Sequence, residues 1–522
     1  MTRPPPSEGP QVPDHPRPGY SRRDFLNTGA GLSLGVLGGG IQAAATERLS
    51  PGAPHSQFSA PNRKTLLVKN ADVLVTMDGE RREIRNGGLF IEGGIIRQVG
   101  PSHQLPKAAD EILSLKGHVL LPGLINSHHH LYQHLTRVVP AAQDGNVMNW
   151  LKVLYPLWAR IKPDELMLAV QCGLAELALS GCTTAFDHQY IFPNGCALDD
   201  AIHAATAVGL RFHASRGSMS LGVSKGGLPP DGCVEEEPRI LKDSQRVIER
   251  FHDPAPGSML QIALAPCSPF SVTPSLMQES ARMARHFGVR LHTHLAESLD
   301  EQRYTLETYQ LRPLALMEKW GWTGQDVWFA HSVHVNDQEI ANYAKTGTGV
   351  AHCPCSNMRL ASGIAPIQKF RMAGVRVGLG VDGASSNDGS HLLGEARQAL
   401  LLARTRLSLN PGGGGADGAW MSAREALEIA TLGGAAVLGR RDIGSLEVGK
   451  CGDFFAVDLA AVGFSGGAQI DPVAAVVFSA PASSSYTAVH GRLIVREGRL
   501  TTLDLPPVLE ACNRAAMRVV RG

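Results

Sequence analysis

The sequence predicts an α/β protein, with a TIM-like (β/α)8 barrel and a small β-sandwich domain that is built from both ends of the chain. Three observations lead to this fold class. Strand-like segments alternate with helical stretches through the middle of the chain, short strands occur before and after that region, and the length of 522 residues exceeds one ordinary domain. We therefore divide the chain into four parts: 1–62 as a leader, 63–120 and 441–522 as the two parts of the β domain, and 121–440 as the barrel.

The leader differs in composition from the rest of the chain, since it is rich in Pro, Gly and Ser and has no sustained apolar period. Within it, Arg22 and Arg23 precede a weakly apolar, Gly-rich run that ends in three alanines up to Ala45. This order is typical of a twin-arginine export signal with an A-x-A cleavage site. The run is too short to stay in a membrane as an anchor. We expect a disordered leader that sends the protein to the periplasm, and a cytoplasmic protein with a chance Arg-Arg pair is the alternative.

The charge and cysteine content narrow the range of partners. Forty-nine basic and 48 acidic residues give a formal net charge of +1, so no overall field favours a nucleic acid polymer or an anionic membrane. The nine cysteines are odd in number and scattered, which does not indicate a disulfide framework. We expect a small, nearly neutral molecule as the partner and no membrane span.

The β domain is predicted from short strands that are separated by Gly and by Asp or Asn turns. The N-terminal set covers 65–68, 72–76, 88–91 and 95–99, and a matching set near the other end covers 453–457, 475–478 and 491–495. Strands of this length and spacing are typical of a small antiparallel sheet. We expect the two sets to form one domain.

The barrel is predicted from eight strand-like segments with helical stretches in the gaps. These segments are 119–126, 183–188, 210–215, 261–265, 289–294, 327–331, 349–352 and 375–382. Pro163 and the pair Thr273-Pro274 stand where two of the intervening helices should begin. Eight such units predict a closed parallel barrel.

Histidines end the first predicted barrel strand. Side chains alternate along an extended segment, so His128 and His130 point to one side and His129 points to the other. Active sites of parallel barrels lie at the carboxyl ends of the strands. His128 and His130 therefore form half of a candidate metal site.

Three further strands end in polar residues of the same kind. The fifth predicted strand ends in His294 with Glu297 just beyond it, the sixth ends in His331, and the eighth ends in Asp382. Together with the first pair, His294 and Asp382 make a set of four ligands for one divalent ion per chain, because no lysine ends a central strand to bridge a second ion. Imidazole and carboxylate ligands suit zinc, with iron(II) as the alternative, and are unlike the oxygen cages of calcium and magnesium sites.

Four phrases of the sequence resemble the amidohydrolase superfamily, within its mononuclear-metal aminohydrolase branch. They are residues 122–130, the step from His294 to Glu297, residues 330–334 and residues 380–383. A closer similarity, to the 8-oxoguanine deaminases and hydroxydechloroatrazine ethylaminohydrolase-like proteins, is carried by 216–220, 265–270, 357–363 and 395–400. Residues 185–190 depart from the family pattern. The resemblance also implies a homo-oligomer, usually a dimer.

The resemblance implies a hydrolytic deaminase that acts on cyclic amidines. In such an enzyme the metal activates a water molecule, Asp382 accepts its proton, Glu297 protonates a ring nitrogen, and His331 polarises the attacking water or the tetrahedral intermediate. The expected reaction converts 8-oxoguanine to uric acid and ammonia. A hydroxytriazine, another aminated N-heterocycle, or a chlorinated one is the alternative substrate.

Three residues are candidates for binding the substrate ring. Gln143 and Trp150 lie in the segment after the first barrel strand, where they are expected to hydrogen-bond to and stack on the ring. Arg216, just beyond the third strand, is expected to donate to the 8-oxo group. Guanine should then be the poorer substrate by about 1 to 3 kcal/mol, since it would leave a buried donor unpaired.

An NAD-linked oxidoreductase is a remote alternative from a different class of enzyme. Gly378, Gly380 and Gly383 match the spacing of the dinucleotide-binding fingerprint after a strand. The acidic residue that should follow about 20 positions later is replaced by Ala403, and the fingerprint contains the candidate ligand Asp382. The metal site is therefore the favoured interpretation of this segment.

The export hypothesis predicts where the enzyme accumulates. The double change Arg22→Lys and Arg23→Lys should leave activity in the cytoplasm of the producing cell, because the twin-arginine pathway reads the arginine pair. The measurement is activity in the periplasmic and cytoplasmic fractions, and N-terminal sequencing of the exported chain should begin close to Thr46. Equal partitioning of the variant and the wild type would reject the signal.

Overall fold

A computed structural model describes residues 64–409, 420–479 and 483–522 of the protein. The leader, with its Arg22-Arg23 pair, lies outside the described residues. No helix within the described ranges has the length and apolar character needed to cross a membrane.

The strands of the described chain fall into a large sheet, a closed barrel and one short pair. In chain order they are β1 (Thr65–Val75), β2 (Glu83–Glu92), β3 (Ile95–Pro101), β4 (Glu111–Ser114), β5 (His118–Pro122), β6 (Leu124–Asn126), β7 (His129–His130), β8 (Cys182–Asp187), β9 (Arg211–Ser218), β10 (Leu260–Pro266), β11 (Arg290–Leu295), β12 (Val327–His331), β13 (Gly349–His352), β14 (Val377–Leu379), β15 (Asp382–Gly383), β16 (Phe454–Asp458), β17 (Tyr486–Val489), β18 (Arg492–Arg496) and β19 (Arg499–Leu500).

Helices fill most of the gaps between the barrel strands. They are α1 (Val147–Trp158), α2 (Pro163–Leu179), α3 (Leu198–Val208), α4 (Glu237–Phe251), α5 (Pro274–Phe287), α6 (Leu299–Tyr309), α7 (Pro313–Lys319), α8 (Asp337–Thr346), α9 (Pro354–Arg359), α10 (Ile367–Met372), α11 (Leu392–Leu409), α12 (Ala423–Glu428), α13 (Gly434–Val437), α14 (Gly467–Ile470), α15 (Pro472–Phe478) and α16 (Leu505–Arg521). Both helix starts predicted from proline are confirmed: α2 begins at Pro163, and α5 begins at Pro274 after Thr273, whose side chain accepts from the backbone N–H of Leu276.

The predicted barrel is confirmed. Eight parallel strands close on themselves in the order β10, β11, β12, β13, β14, β6, β8 and β9. Their apolar side chains join the outer helices in the main core of the protein. The carboxyl ends of the strands open at one mouth, which is where the polar residues singled out in the sequence lie.

The first predicted barrel strand, 119–126, is corrected to two strands with different partners. β5 pairs with β1 and β16 in the large sheet, whereas β6 pairs with β8 and β14 in the barrel. The break is at Gly123, where a Cβ atom would lie 2.1 Å from Thr183 Oγ1. The Thr183 side chain therefore occupies the space that a larger residue would need, and glycine stands at the point where the chain passes from sheet to barrel.

The eighth predicted strand, 375–382, is also shorter than expected. β14 covers only Val377–Leu379, and Asp382 belongs to the two-residue strand β15, which pairs with β7 opposite His129. The φ angle of Asp382 is 60°, in the left-handed region that few non-glycine residues adopt. This turn places Asp382 beside the histidines of the first barrel strand.

The chain ends form the expected additional sheet. Its nine strands run in the order β19, β18, β17, β16, β5, β1, β2 and β3, with β4 also paired to β1. β16 of the C-terminal part pairs with β5 of the N-terminal part, so neither end completes the sheet alone. The sheet is mixed rather than purely antiparallel, because β4 and β5 run parallel to β1.

The predicted strand at 475–478 is wrong, since these residues form the end of α15. Asp471 caps this helix by accepting a hydrogen bond from the backbone N–H of Ala474, and Pro472 occupies its first turn. Both features are typical helix starts. The short apolar run alone does not distinguish a buried strand from a buried helix.

A buried ion pair joins the barrel to the large sheet. The guanidinium of Arg211, on β9, donates to both carboxylate oxygens of Asp453 at 3.1 to 3.2 Å and to the carbonyl oxygens of Gly257 and Ser258. Asp453 precedes β16 and also accepts from the backbone N–H of His490. Both charged side chains are buried.

Removing Asp453 should therefore destabilise the fold. Asp453→Ala leaves the buried guanidinium of Arg211 without its counter-charge, and breaking such a pair lowers the free energy of unfolding by about 3 to 5 kcal/mol. The matched control is Arg514→Ala, which removes an exposed ion pair with Glu510 and should change stability by less than about 1 kcal/mol. Urea denaturation of both variants measures the difference, and equal effects would contradict the role of the buried pair.

Candidate metal centre

The structure brings all four predicted metal ligands together at the mouth of the barrel. The Nε2 atoms of His130 and His294 are 3.0 Å apart. Asp382 Oδ1 lies 3.2 Å from His128 Nε2 and 3.1 Å from His130 Nε2. These donor atoms are close enough to surround one ion, and two sets drawn from this cluster meet the geometry of a metal site.

Backbone carbonyl groups determine which nitrogen of two of the imidazoles is free. His130 Nδ1 lies 2.8 Å from the carbonyl oxygen of His188, and His294 Nδ1 lies 2.6 Å from that of Cys267. A carbonyl oxygen only accepts hydrogen bonds, so each Nδ1 must carry the proton. Each Nε2 therefore presents its lone pair to the centre of the cluster.

His128 has the same tautomer, which is determined by its hydrogen bond to a second histidine. His292 Nδ1 donates to the carbonyl oxygen of Trp328 at 3.0 Å, so His292 Nε2 is an acceptor and receives the Nδ1 proton of His128 at 2.8 Å. His128 Nε2 is then a lone pair, buried and without a hydrogen-bond partner among the described atoms. A buried lone pair aimed at two other lone pairs and a carboxylate fits a bound cation.

Burial favours the protonation states that a metal requires. Burial lowers the pKa of His128 to about 3 and holds the pKa of His294 well below its usual value. Burial alone would raise the pKa of Asp382, but interactions with His128, His130 and His331 hold it well below its usual range. His128 and His294 are therefore neutral imidazoles and Asp382 is a carboxylate at neutral pH, which are the forms that bind a divalent ion.

Two serines orient the carboxylate of Asp382. Its Oδ2 accepts hydrogen bonds from Ser356 Oγ at 2.5 Å and from Ser386 Oγ at 3.0 Å. Oδ1 is left to face the histidines. Such fixed partners hold a ligand in place before the ion binds.

Glu297 and His331 lie beside the ligands, as the sequence predicted. Glu297 Oε1 is 3.9 Å from His331 Nε2, and that nitrogen is 4.0 Å from Asp382 Oδ2. His331 Nδ1 is bonded to Asn357 Oδ1 at 2.9 Å. Burial raises the pKa of Glu297. Burial acts to lower the pKa of His331, but the charges of Glu297 and Asp382 outweigh it and raise that pKa.

Glu301 holds the turn that carries Glu297, a role that sequence reasoning missed. Its two carboxylate oxygens accept from the backbone N–H groups of Ala296 at 2.8 Å and Glu297 at 2.9 Å. Ala296 has a positive φ of 52°, so the turn has an unfavourable backbone conformation that the clamp stabilises. In the sequence, the position of Glu301 four residues after Glu297, inside the next helix, could have indicated this role.

A small pocket, with a volume of about 40 Å³, opens above the ligands. Aromatic side chains form much of its wall, and none of its lining residues in the described chain is Lys or Arg. The lining residues are His130, Gln133, Val147, Trp150, Leu151, Tyr155, Tyr190, Cys267, Ser268, Phe270, His294, Glu297, His331, Leu360 and Asp382.

Of the three predicted substrate-binding residues, only Trp150 lines this pocket. Its indole N–H donates to the carbonyl oxygen of Ser385 at 3.0 Å, so its ring is held in place. Gln143 is exposed, and its amide donates to the carbonyl oxygen of Val138 at 2.9 Å, which caps a local turn. The structure therefore does not bring Gln143 to the ring site.

Arg216 is also not in the pocket, which corrects the sequence-based expectation. Its guanidinium points to the outer helices, where it donates to Asp243 at 2.7 Å and to both carboxylate oxygens of Glu235, and it lies over the ring of Phe192. It lines a different cavity, next to α4. The acidic partners on that side, distant in sequence, determine the direction of this side chain.

Two residues near the metal ligands were missed in the sequence, and one of them, Gln133, lines the pocket. Gln133 lies three residues after His130, and both polar atoms of its side chain are buried without hydrogen-bond partners in the described chain. His188 directly follows β8 and stacks on His294 with ring centroids 4.8 Å apart, so it adds an imidazole to the cluster. Its position at a strand end was a signal of the same kind as the one that identified His294.

The glycines that match the dinucleotide fingerprint serve the metal centre instead. A Cβ on Gly380 would lie 2.7 Å from His128 Cβ, and one on Gly383 would lie 1.7 Å from Gln133 Oε1. Both glycines are therefore needed because the site packs against them. No helix of the described chain begins directly after Gly383, since α11 starts at Leu392, so the phosphate-binding helix of a nucleotide fold is missing there.

Comparison with known proteins gives a consistent family. Residues 119–494 match the model of the amidohydrolase family. The chain is 45% identical over 439 residues to an 8-oxoguanine deaminase of Pseudomonas aeruginosa, which covers 84% of this chain and 95% of that protein. It is 37% identical over 476 residues to a hydroxydechloroatrazine ethylaminohydrolase of Pseudomonas sp., covering 88% and 96%.

A solved structure shares the fold over nearly the same length. The atrazine chlorohydrolase TrzN of Arthrobacter aurescens, in complex with zinc, is 34% identical and superimposes with a TM-score of 0.81. The similarity covers 86% of this chain and all of that one. A divalent ion is therefore consistent with both the donor atoms of this site and the metal content of a similar protein.

The direction of each histidine predicts which ones are needed for metal binding. His128→Ala should retain one ion fewer per chain than the wild type, because it removes a buried lone pair of the cluster. His129→Ala is the matched control, since its Nε2 lies 3.0 Å from Ser390 Oγ and belongs to neither metal set of this cluster. Elemental analysis after dialysis measures both variants. Equal metal loss in the two would contradict the assigned ligands.

Proposed function

This chain belongs to the amidohydrolase family, and on that premise we propose that it deaminates 8-oxoguanine, giving uric acid and ammonia. Its relatives are hydrolytic deaminases and aminohydrolases, so the chain is a hydrolase of carbon–nitrogen bonds. The observation that carries the proposal is the placement of Glu297, His331 and Asp382 around one aromatic pocket without Lys or Arg in its described wall. Such a pocket favours a flat, uncharged ring over a phosphorylated nucleotide.

Deamination of a cyclic amidine needs a nucleophilic water, a proton for a ring nitrogen and stabilisation of the charge that develops on oxygen. When bound, a divalent ion supplies the Lewis acidity that makes water a nucleophile at neutral pH. His128, His130, His294 and Asp382 are the residues that would hold it, and zinc is the proposed ion with iron(II) as the alternative.

The pKa values of the two carboxyl groups are shifted in opposite directions, and we assign their roles from these shifts. Asp382 has a lowered pKa and is a carboxylate, so it accepts a proton from the attacking water and passes it toward the leaving amine. Glu297 has a raised pKa because it is buried, which favours its protonated form and a role as the proton donor to the ring nitrogen. Pairs of carboxyl groups whose environments separate their pKa values are typical of acid–base catalysis.

His331 stabilises the oxygen that the water contributes. Its Nδ1 is engaged by Asn357, which fixes the ring, and its Nε2 points to the space between Glu297 and Asp382. The raised pKa of His331 favours the form in which Nε2 carries a proton. A charged donor at this position stabilises a developing oxyanion.

Gln133 is proposed to recognise the substrate ring through hydrogen bonds. Its buried amide offers a donor and an acceptor, and neither has a partner in the described chain. An unsatisfied buried amide costs about 1 to 3 kcal/mol for each unmade hydrogen bond, which a ring with adjacent C=O and N–H groups would recover. The pyrimidine edge of an oxopurine has this pattern, and Trp150 and Tyr155 provide aromatic walls beside it.

The preference for 8-oxoguanine over guanine can no longer be based on Arg216, whose donors are used by Asp243, Glu235 and the carbonyl oxygen of Gly217. The proposal of 8-oxoguanine rests on the 45% identity to a deaminase of that name. A hydroxylated aminotriazine is the second candidate, because a relative at 37% identity is a hydroxydechloroatrazine ethylaminohydrolase. The uncharged pocket suits both rings.

Location and assembly complete the proposal. We propose export by the twin-arginine route on the basis of Arg22 and Arg23. We also propose a homo-oligomer, as the family resemblance implies. The partner of the active site is a small heterocycle.

A substrate panel tests the function. The purified zinc-loaded protein is given 8-oxoguanine, guanine, adenosine and a hydroxylated aminotriazine, with ammonia or amine release and uric acid formation as readouts. We expect the highest kcat/KM for 8-oxoguanine. Turnover of the triazine alone would move the assignment to the second candidate.

Two variants test whether turnover comes from this site. Glu297→Gln keeps the shape of the side chain but cannot deliver its proton, so kcat should fall by about 10² to 10⁴ while the bound metal is retained. Glu307→Gln, an exposed change on the following helix α6, should have wild-type activity. A fully active Glu297→Gln enzyme would contradict the proposed acid.

A further inference from the structure

Three metal-binding side chains meet at a second place in the molecule. His134, Cys172 and Cys512 each offer one ligand atom, and these atoms lie within 4.8 Å of one another. His134 is in the 3-10 helix Leu131–Thr136, Cys172 is in α2 and Cys512 is in α16. None of the three lines the substrate pocket or belongs to the metal cluster at the barrel mouth.

Two members of the cluster are buried and His134 is partly buried, with one ring nitrogen that makes no hydrogen bond within the described ranges. Both thiols are buried. His134 Nδ1 is buried and makes no hydrogen bond in the described chain. A buried ring nitrogen without a partner needs an explanation, and the two cysteines of the cluster offer only sulfur atoms, which are weak hydrogen-bond partners.

The surroundings favour the ligating forms of His134 and Cys512, whereas the hydrogen bond to Cys512 and burial raise the pKa of the Cys172 thiol. Burial lowers the pKa of His134 to about 4, so the imidazole is neutral. A hydrogen bond from Cys172 lowers the pKa of Cys512, which favours a thiol–thiolate pair. The guanidinium of Arg137, held by Glu176, adds positive charge next to both sulfur atoms.

We propose that His134, Cys172 and Cys512 form a second metal site, which binds a thiophilic divalent ion such as zinc. Two thiolates and one imidazole are soft and borderline ligands, which zinc prefers over the oxygen ligands of calcium or magnesium. Binding releases the remaining thiol proton to solvent, since the ion takes both cysteines as thiolates. No oxidant or reductant takes part.

The site has a structural consequence because of the elements it joins. α16 packs against α2 and the 3-10 helix that follows His130. At its other end α16 is held by an ion pair between Arg518 and Glu165. An ion at the cluster would fasten the last helix of the chain to the segment directly after a catalytic ligand, so its removal should lower the thermal stability of the protein.

This inference changes the expected metal content from one ion to two per chain. The sequence-based count of one considered only residues at the ends of barrel strands. His134, Cys172 and Cys512 are outside that pattern, since they lie in helices. The catalytic centre still holds one ion, and the second site does not depend on the proposed reaction.

Cobalt substitution tests the site in the full chain. Co²⁺ bound by thiolates gives an intense sulfur-to-metal charge-transfer band in the near ultraviolet, which imidazole and carboxylate ligands do not give. We expect this band and two Co²⁺ ions per chain in the reduced wild-type protein. His128→Ala should keep the band while losing one ion, which separates this site from the catalytic one.

Four variants complete the test. Cys172→Ser and Cys512→Ser should each lose the band and one ion, and the chelator-induced fall in Tm should be smaller in them than in the wild type. Cys196→Ser is the control, because this cysteine is also buried but outside the cluster, and it should keep the band. His134→Gln retains both thiolates and should weaken Co²⁺ binding about tenfold or more, which gives a readout if a serine variant does not fold.

Three results would overturn the proposal. One is the absence of the charge-transfer band from the reduced wild-type protein. Another is a band that survives in Cys512→Ser. The third is a Cys172–Cys512 disulfide, found by mass spectrometry in the chain purified without reductant, together with one bound ion per chain.

Discussion

The metal centre depends on hydrogen bonds that fix the protons of three imidazoles. Carbonyl oxygens hold the Nδ1 protons of His130 and His294, and His292 passes the same constraint to His128. Each Nε2 lone pair therefore faces Asp382 before any ion binds. Without these partners the imidazoles would be free to rotate or change tautomer, and the centre would have no fixed geometry.

The same constraint explains the irregular backbone around the site. The chain breaks at Gly123 before the short strand β6, and after β14 it enters the left-handed region at Asp382. The pairing of β7 with β15 then brings Asp382 next to the histidines that follow β6. Backbone strain at Asp382 is thus compensated by two serine hydrogen bonds and by the neighbouring strand.

The two carboxyl groups of the pocket have pKa values that are shifted in opposite directions. Burial raises the pKa of Glu297, whereas nearby imidazoles outweigh burial at Asp382 and lower its pKa. The pKa values of the two carboxyl groups in this small cavity are therefore shifted in opposite directions, which suits an exchange of protons between water, ring and leaving amine. Because Lys and Arg are absent from the described wall, the substrate itself need not carry a charge.

The sequence by itself predicted the barrel and the four candidate metal ligands, because both predictions follow from local alternation. His128 and His130 share one side of an extended segment, and strand ends of a parallel barrel meet at one mouth. Only the tertiary structure decided what depends on contacts between distant segments. Arg216 turns outward because Glu235 and Asp243 attract it there, 475–478 is helical because Asp471 caps it, and Gln133 enters the pocket because Gly383 leaves room for it. The cluster of His134, Cys172 and Cys512 is the clearest case, since 340 positions separate the two cysteines in the chain (512 − 172) and packing of the last helix alone brings them together.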